Sequence, residues 1–131
     1  SGHWTTHARQ IVLTRQYVDA FNAKERAVTF IVLNPDQPSL LGTSAIGLLK
    51  HADYVAGFPK ALEAVRDLVG GAELVLNGKN TEEIVSRLGR ETRAGIWAVV
   101  CTIGSPSQAH PELLQAAERH CDKVVIQTAG Q

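Results

Sequence analysis

At 131 residues the chain is one domain's worth, long enough to bury roughly two thirds of the surface its unfolded form exposes. Thirteen basic residues balance thirteen acidic ones, which argues against the broad basic footprint of a nucleic-acid binder. No apolar run approaches the about 18 residues of a membrane span, and the N-terminus does not read as a secretory signal, so no membrane association and a cytoplasmic location are expected. Cys101 and Cys121 have no CxxC-type partner and read as free thiols.

In chain order, residues 5–22 read as a helix with Ile11, Val18 and Phe21 near one face, while Arg9, Arg15 and Asp19 turn away. Lys24-Glu25-Arg26 is a polar hinge, so residues 1–25 are expected to form a helical extension and residues 26–131 the domain proper. Ala27-Val28-Thr29-Phe30-Ile31-Val32-Leu33 is near-continuous apolar and β-branched, as a strand buried on both faces requires. The turn Asn34-Pro35-Asp36-Gln37-Pro38 follows, which no helix or central strand interior would tolerate. Ser39 is then placed to cap a helix whose Leu40, Leu41, Ala45, Leu48 and Leu49 share a face. His51, at its far end, suits the helix dipole.

Residues 52–56 form a short strand stopped by Gly57. Pro59 opens a helix that buries Ala61, Leu62, Val65 and Leu68, and Gly70-Gly71 ends it. A third strand, residues 73–76, closes on the turn Asn77-Gly78-Lys79. Asn80 and Glu83 have the spacing of a capping box for the helix carrying Ile84, Val85 and Leu88. Residues 96–103 are the strongest strand, expected at the sheet centre with Trp97 packed in the core. Gly104-Ser105-Pro106-Ser107 turns the chain toward a helix over residues 111–120, and residues 122–127 are the last strand. Such alternation predicts a single Rossmann-like α/β domain, a mostly parallel sheet of about five strands with helices on both faces, plus the extra N-terminal helix.

In an open α/β sheet, ligands bind where a strand's carboxyl end leads into a helix, so the loop at residues 34–38 is the expected wall of a small-molecule site. Asp36 suits a ribose or an amine, and Ser105 and Ser107 suit a cleft lining, although each is also an ordinary turn or cap residue. His110, close behind Ser105, has the chemistry of an acid or base for the same cleft, against the commoner role of a surface histidine. Lys79 suits a phosphate no better than it suits a turn. His120 and Cys121 are adjacent and point different ways, so no metal site is assigned. Spacing alone identifies no catalytic residue.

The stretch Asn34-Pro35-Asp36-Gln37-Pro38-Ser39-Leu40-Leu41, with Leu49-Lys50-His51-Ala52-Asp53-Tyr54-Val55 after it, resembles the opening of the tetrapyrrole methylases. In that superfamily a strand and a Gly-Pro-Gly-Asp-Pro-like loop lead to a Leu-Leu helix and an Ala-Asp-Val-Val strand. Gly71-Ala72-Glu73-Leu74-Val75-Leu76-Asn77-Gly78-Lys79 is similar to the family's Gly-Ala-Glu…Val-Gly-Lys segment, and Gly104-Ser105-Pro106 stands where the family has Gly-Asp-Pro. The resemblance implies an N-terminal Rossmann-like half whose loops help hold S-adenosylmethionine. Residue by residue, Asn34, Pro35, Asp36, Gln37, Pro38, Gly104, Ser105 and Pro106 would face that cofactor.

The departures also carry meaning. The family's loop glycines are Leu33, Asn34 and Asp36 here, which narrows backbone approach to a ligand, and its Gly-Asp-Pro aspartate is Ser105. The family's second domain, which supplies much of the cofactor site, has no counterpart in the stretch that matches. What is implied is a methyltransferase-like domain that binds S-adenosylmethionine and depends on a second domain, partner chain or protomer for activity. The alternative is a non-catalytic descendant kept for protein–protein contact or assembly, including homo-oligomers, with the helix at residues 5–22 docking on a neighbour. Val32–Asn34, Ala52–Val55 and Val99–Gly104 also resemble segments of ribokinase-like sugar kinases, whose Gly-Ala-Gly-Asp anion-hole motif is absent.

Overall fold

In the computed structural model, which describes residues 27–130, the expected alternation is present, and the helical extension read over residues 1–25 lies outside the described residues. The elements are β1 (Ala27–Leu33), α1 (Thr43–His51), β2 (Tyr54–Gly57), α2 (Pro59–Val65), β3 (Ala72–Val75), α3 (Thr81–Arg93), β4 (Ala98–Ile103), α4 (Pro106–Ala109), α5 (Pro111–His120) and β5 (Lys123–Thr128). A 3₁₀ turn, Arg66–Leu68, continues α2, so that element ends before Gly70-Gly71. The five strands form one sheet in the order β3-β2-β4-β1-β5, and every pairing is parallel.

β4 is central, as its unbroken Ala-Val-Val-Cys-Thr-Ile run demands. A strand buried on both faces needs apolar side chains at odd and even positions alike. Val28 and Phe30 of β1 join Ala98 and Val100 of β4 on one face, under Val85 and Leu88 of α3 and Leu113, Ala116 and Ala117 of α5. Ile31 and Leu33 join Val55, Val99 and Cys101 on the other, under Ala45, Leu48 and Leu49 of α1 and Ala61, Leu62 and Val65 of α2. Right-handed crossovers require this division, because the chain moves one way across the sheet through α1 and α2 and returns through α3 and α5.

Three local expectations are corrected. The first helix begins at Thr43, with Gly42 as its N-cap, not after Ser39. The intervening residues are committed elsewhere: the Leu40 amide donates to the Gln37 carbonyl, and the Gly42 amide to the Ala129 carbonyl beyond β5. Leu40 is therefore 57% exposed, and Leu41 is only half-buried. The capping box at Asn80 is not formed. Its amide group instead bridges backward, donating to the Val75 carbonyl and accepting from the Asn77 amide, both at 2.9 Å, and so ties the end of β3 to the start of α3. Trp97 precedes β4 and is half-buried at the sheet's amino edge, where its amide donates to the Asp53 carboxylate at 2.9 Å.

Candidate functional site

The carboxyl ends of all five strands share one edge of this parallel sheet. β1 and β4 are neighbours, yet α1 leaves to one face and α5 to the other, and in open α/β sheets the crevice between two such loops is where ligands are held. The two predicted loops meet there. The Gly104 amide donates to the Leu33 carbonyl at 2.9 Å, and Pro35 packs beside Gly104, where an added Cβ would lie 3.6 Å from the Pro35 ring. Gly104 has a φ of +82°, a conformation that only glycine adopts without strain. The Thr102 hydroxyl donates to the Gly104 carbonyl at 2.9 Å and fixes the exit from β4.

The first loop is wound on itself. The Asn34 side-chain oxygen accepts the Asp36 amide at 2.8 Å, and the Asn34 carbonyl accepts the Gln37 amide at 3.2 Å. Pro35 and Pro38 have no amide hydrogen. The backbone amides of Asp36 and Gln37 are thus spent inside the loop, and its exposed groups are the Asp36 carboxylate and the side-chain amides of Asn34 and Gln37. Pro38 is half-buried, whereas Asn34, Pro35, Asp36 and Gln37 are exposed. Across the crevice Ser105 is exposed, with its hydroxyl 2.9 Å from that of Ser107, and Pro106 is buried as the first residue of α4.

One strand over lies a feature that the sequence reading missed. β2 and β4 are also neighbours whose helices leave to opposite faces, and a cleft of about 530 Å³ occupies the gap. Phe58, Pro59, Lys60 and Ala61 line it from the β2 side, and Cys101, Thr102, Ile103 and His110 from the β4 side. None of the eight predicted loop residues is in that lining. His110, singled out from the sequence, is. Its ring stacks on Phe58, with centroids 4.5 Å apart and planes 17° from parallel. Its Nδ1 is 3.9 Å from the Glu112 carboxylate, too far for a hydrogen bond. Burial pushes the Cys101 thiol up to about 12, so it stays protonated and is no nucleophile. Phe58 had a signal in the sequence: it follows a strand and precedes Pro59, the same strand-end position that singled out the loops after β1 and β4.

The remaining candidates are structural. Lys79 is exposed on a turn in which the Asn77 side chain accepts the Lys79 and Asn80 amides at 2.8 and 3.0 Å. His120 Nε2 lies 2.6 Å from the Glu82 carboxylate, which also binds Arg119, so it joins α5 to α3. Among the described residues, no three His, Cys, Asp or Glu side chains converge as metal ligands would.

The sequence matches no family model and no curated relative. Among solved structures, a cobalamin biosynthetic enzyme, cobalt precorrin-4 methyltransferase, is similar with a TM-score of 0.61 and 24% identity. The likeness covers 81% of this chain but only 46% of that enzyme, so the chain spans less than half of its length. What it shows is the fold: a parallel, Rossmann-like α/β sheet of the kind that a methyltransferase contains.

Proposed function

We propose that the chain is a methyltransferase-like domain that binds S-adenosylmethionine at the carboxyl edge of β1 and β4. One observation carries the reading. At the point where neighbouring strands send their helices to opposite faces, the loop at residues 34–38 presents the Asp36 carboxylate, has its backbone amides spent internally and is held against Gly104. An exposed carboxylate suits the ammonium and the ribose hydroxyls of S-adenosylmethionine, each of which can donate to it, and disfavours a phosphate. When bound, the cofactor would supply an electrophilic sulfonium methyl group. The chain's own part is to position it: Asp36 accepts from the donor groups, and Gly104-Ser105-Pro106 forms the opposite wall. The fold likeness to a methyltransferase agrees with this, and that enzyme's greater length fits a dependence on a second domain or protomer for activity.

A thermal-shift titration tests the reading, since a ligand that binds only the folded state raises its stability. S-adenosylmethionine and S-adenosylhomocysteine should raise the melting temperature with dose, and ATP should not. Asp36→Ala should weaken binding about tenfold, or ~1.4 kcal/mol. Calorimetry on the folded chain showing no heat at millimolar ligand would overturn it.

The assembly reading has its own support in Leu40, 57% exposed, and Ile46, 37% exposed, which flank the start of α1 at the same sheet edge. A partner or second copy that covers them would explain why apolar side chains stay there. On this reading Leu40→Asp lowers the solution mass measured by light scattering, and an unchanged mass in an assembled wild type counts against it.

A further inference from the structure

The cleft between β2 and β4 plays no part in the proposed cofactor contacts, yet the fold builds it by the same rule as the crevice beside it. We propose that it is a separate binding site for a flat, largely apolar molecule that carries one anionic group.

Phe58, Pro59, Ala61 and Ile103 present carbon, and the polar groups among the lining residues are mostly spoken for. The Thr102 hydroxyl is already donated to the Gly104 carbonyl, and the Cys101 thiol is held neutral by burial. A ligand here gains by removing apolar surface from water. The stacked Phe58 and His110 rings add aromatic surface to the lining, which suits a ligand with a flat ring system. A volume of about 530 Å³ sits inside the roughly 300–1,000 Å³ of small-molecule sites and accommodates two or three fused rings. The sign of the ligand's polar end follows from Lys60. It lines the cleft and takes part in none of the ion pairs formed by the described residues. Glu112, 3.9 Å from His110 Nδ1, is not among the lining residues.

The test uses the full chain and three probes: 2-naphthoate, its uncharged twin 2-naphthamide, and cyclohexanecarboxylate, which has the charge without the flat ring system. Amide resonances followed by NMR report where each binds. Naphthoate should produce saturable shifts centred on Phe58, Ala61, Ile103 and His110, with weaker binding of naphthamide and none of cyclohexanecarboxylate. Lys60→Ala should cost naphthoate about two- to fivefold in affinity, as loss of an exposed ion pair does, and leave naphthamide unchanged. Phe58→Leu should weaken both. Absence of saturable shifts at those amides overturns the proposal. So does a Lys60→Ala variant that still prefers naphthoate over naphthamide, or a set of shifts centred on Asp36, Gly104 and Ser105. The last pattern would place the probe in the cofactor crevice, while a failed S-adenosylmethionine titration would leave the cleft untouched, so the two readings fail separately.

Discussion

At the scale of single residues, position decides how ordinary side chains behave. Burial pushes Cys101 from its ordinary 9.0 up to about 12 and Cys121 up to about 11, the latter lowered in part by Arg93 and raised by Asp122. Both thiols are acids whose folded values lie above the unfolded one. From about pH 9 upward the unfolded chain releases protons that the folded chain retains, so stability falls as pH rises through the window to 11–12. Melting temperatures should therefore drop above pH 9, and the drop should be shallower in Cys101→Ala, each protein measured against its own pH 8 value. Two threonines of α3 make a second contrast. The buried Thr81 hydroxyl meets no partner, whereas the buried Thr92 hydroxyl donates to the Gly89 carbonyl at 3.1 Å. Urea denaturation should find Thr81→Val neutral or stabilising and Thr92→Val destabilised by about 1 kcal/mol. Asn80 shows why a local motif misleads here. Its spacing to Glu83 is right for a capping box, but the end of β3 offers its side chain two better-placed partners.

At the scale of elements, the α3–α5 contact separates steric from electrostatic determinants. A Cβ on Gly89 would run into the His120 backbone carbonyl, so α3 can approach α5 this closely only through glycine. Across the same junction, Glu82 binds Arg119 and His120, and Arg93 donates to the His120 carbonyl at 3.1 Å and to Asp122 at 3.2 Å. These charges are largely exposed and screened. Gly89→Ala should lower stability by about 1–3 kcal/mol, and Glu82→Gln by no more than about 1 kcal/mol. Chemical denaturation of the two variants side by side checks the ranking. Reversed order would mean that the helix pair is held by its ions and not by its packing. Element types were legible because apolar periodicity survives in short windows. The start of α1 was not, because the Gly42 amide is claimed by Ala129, 87 residues away.

At the scale of the whole molecule, the sheet order sets where ligands can go. Placing β4 between β1 and β2 creates two neighbouring switch points on one edge, one where the Gly104–Leu33 hydrogen bond joins the loops and one that opens as the cleft beside Phe58. Among the described residues the outer strands leave apolar groups uncovered, Val75 of β3 at 48% and Ile126 of β5 at 53% exposure. If the segment before β1 supports assembly, deleting residues up to Lys24 should lower the solution mass per assembly while leaving the fold intact by circular dichroism. An unchanged mass in an assembled wild type would set that role aside.

By itself the sequence determined the class of this protein. Near-continuous apolar runs rich in β-branched residues that alternate with amphipathic helices bury their carbon as a parallel sheet under two helical layers. It also determined that the loops after β1 and β4 break their strands, because Pro35, Pro38 and Pro106 cannot continue them. Tertiary structure alone decided which strands are neighbours, hence that those two loops touch, that the first spends its amides internally, and that Phe58 and His110 meet across a cleft 52 residues apart in sequence. The physical reason is that strand order depends on the summed packing of both faces, which no local stretch of sequence contains.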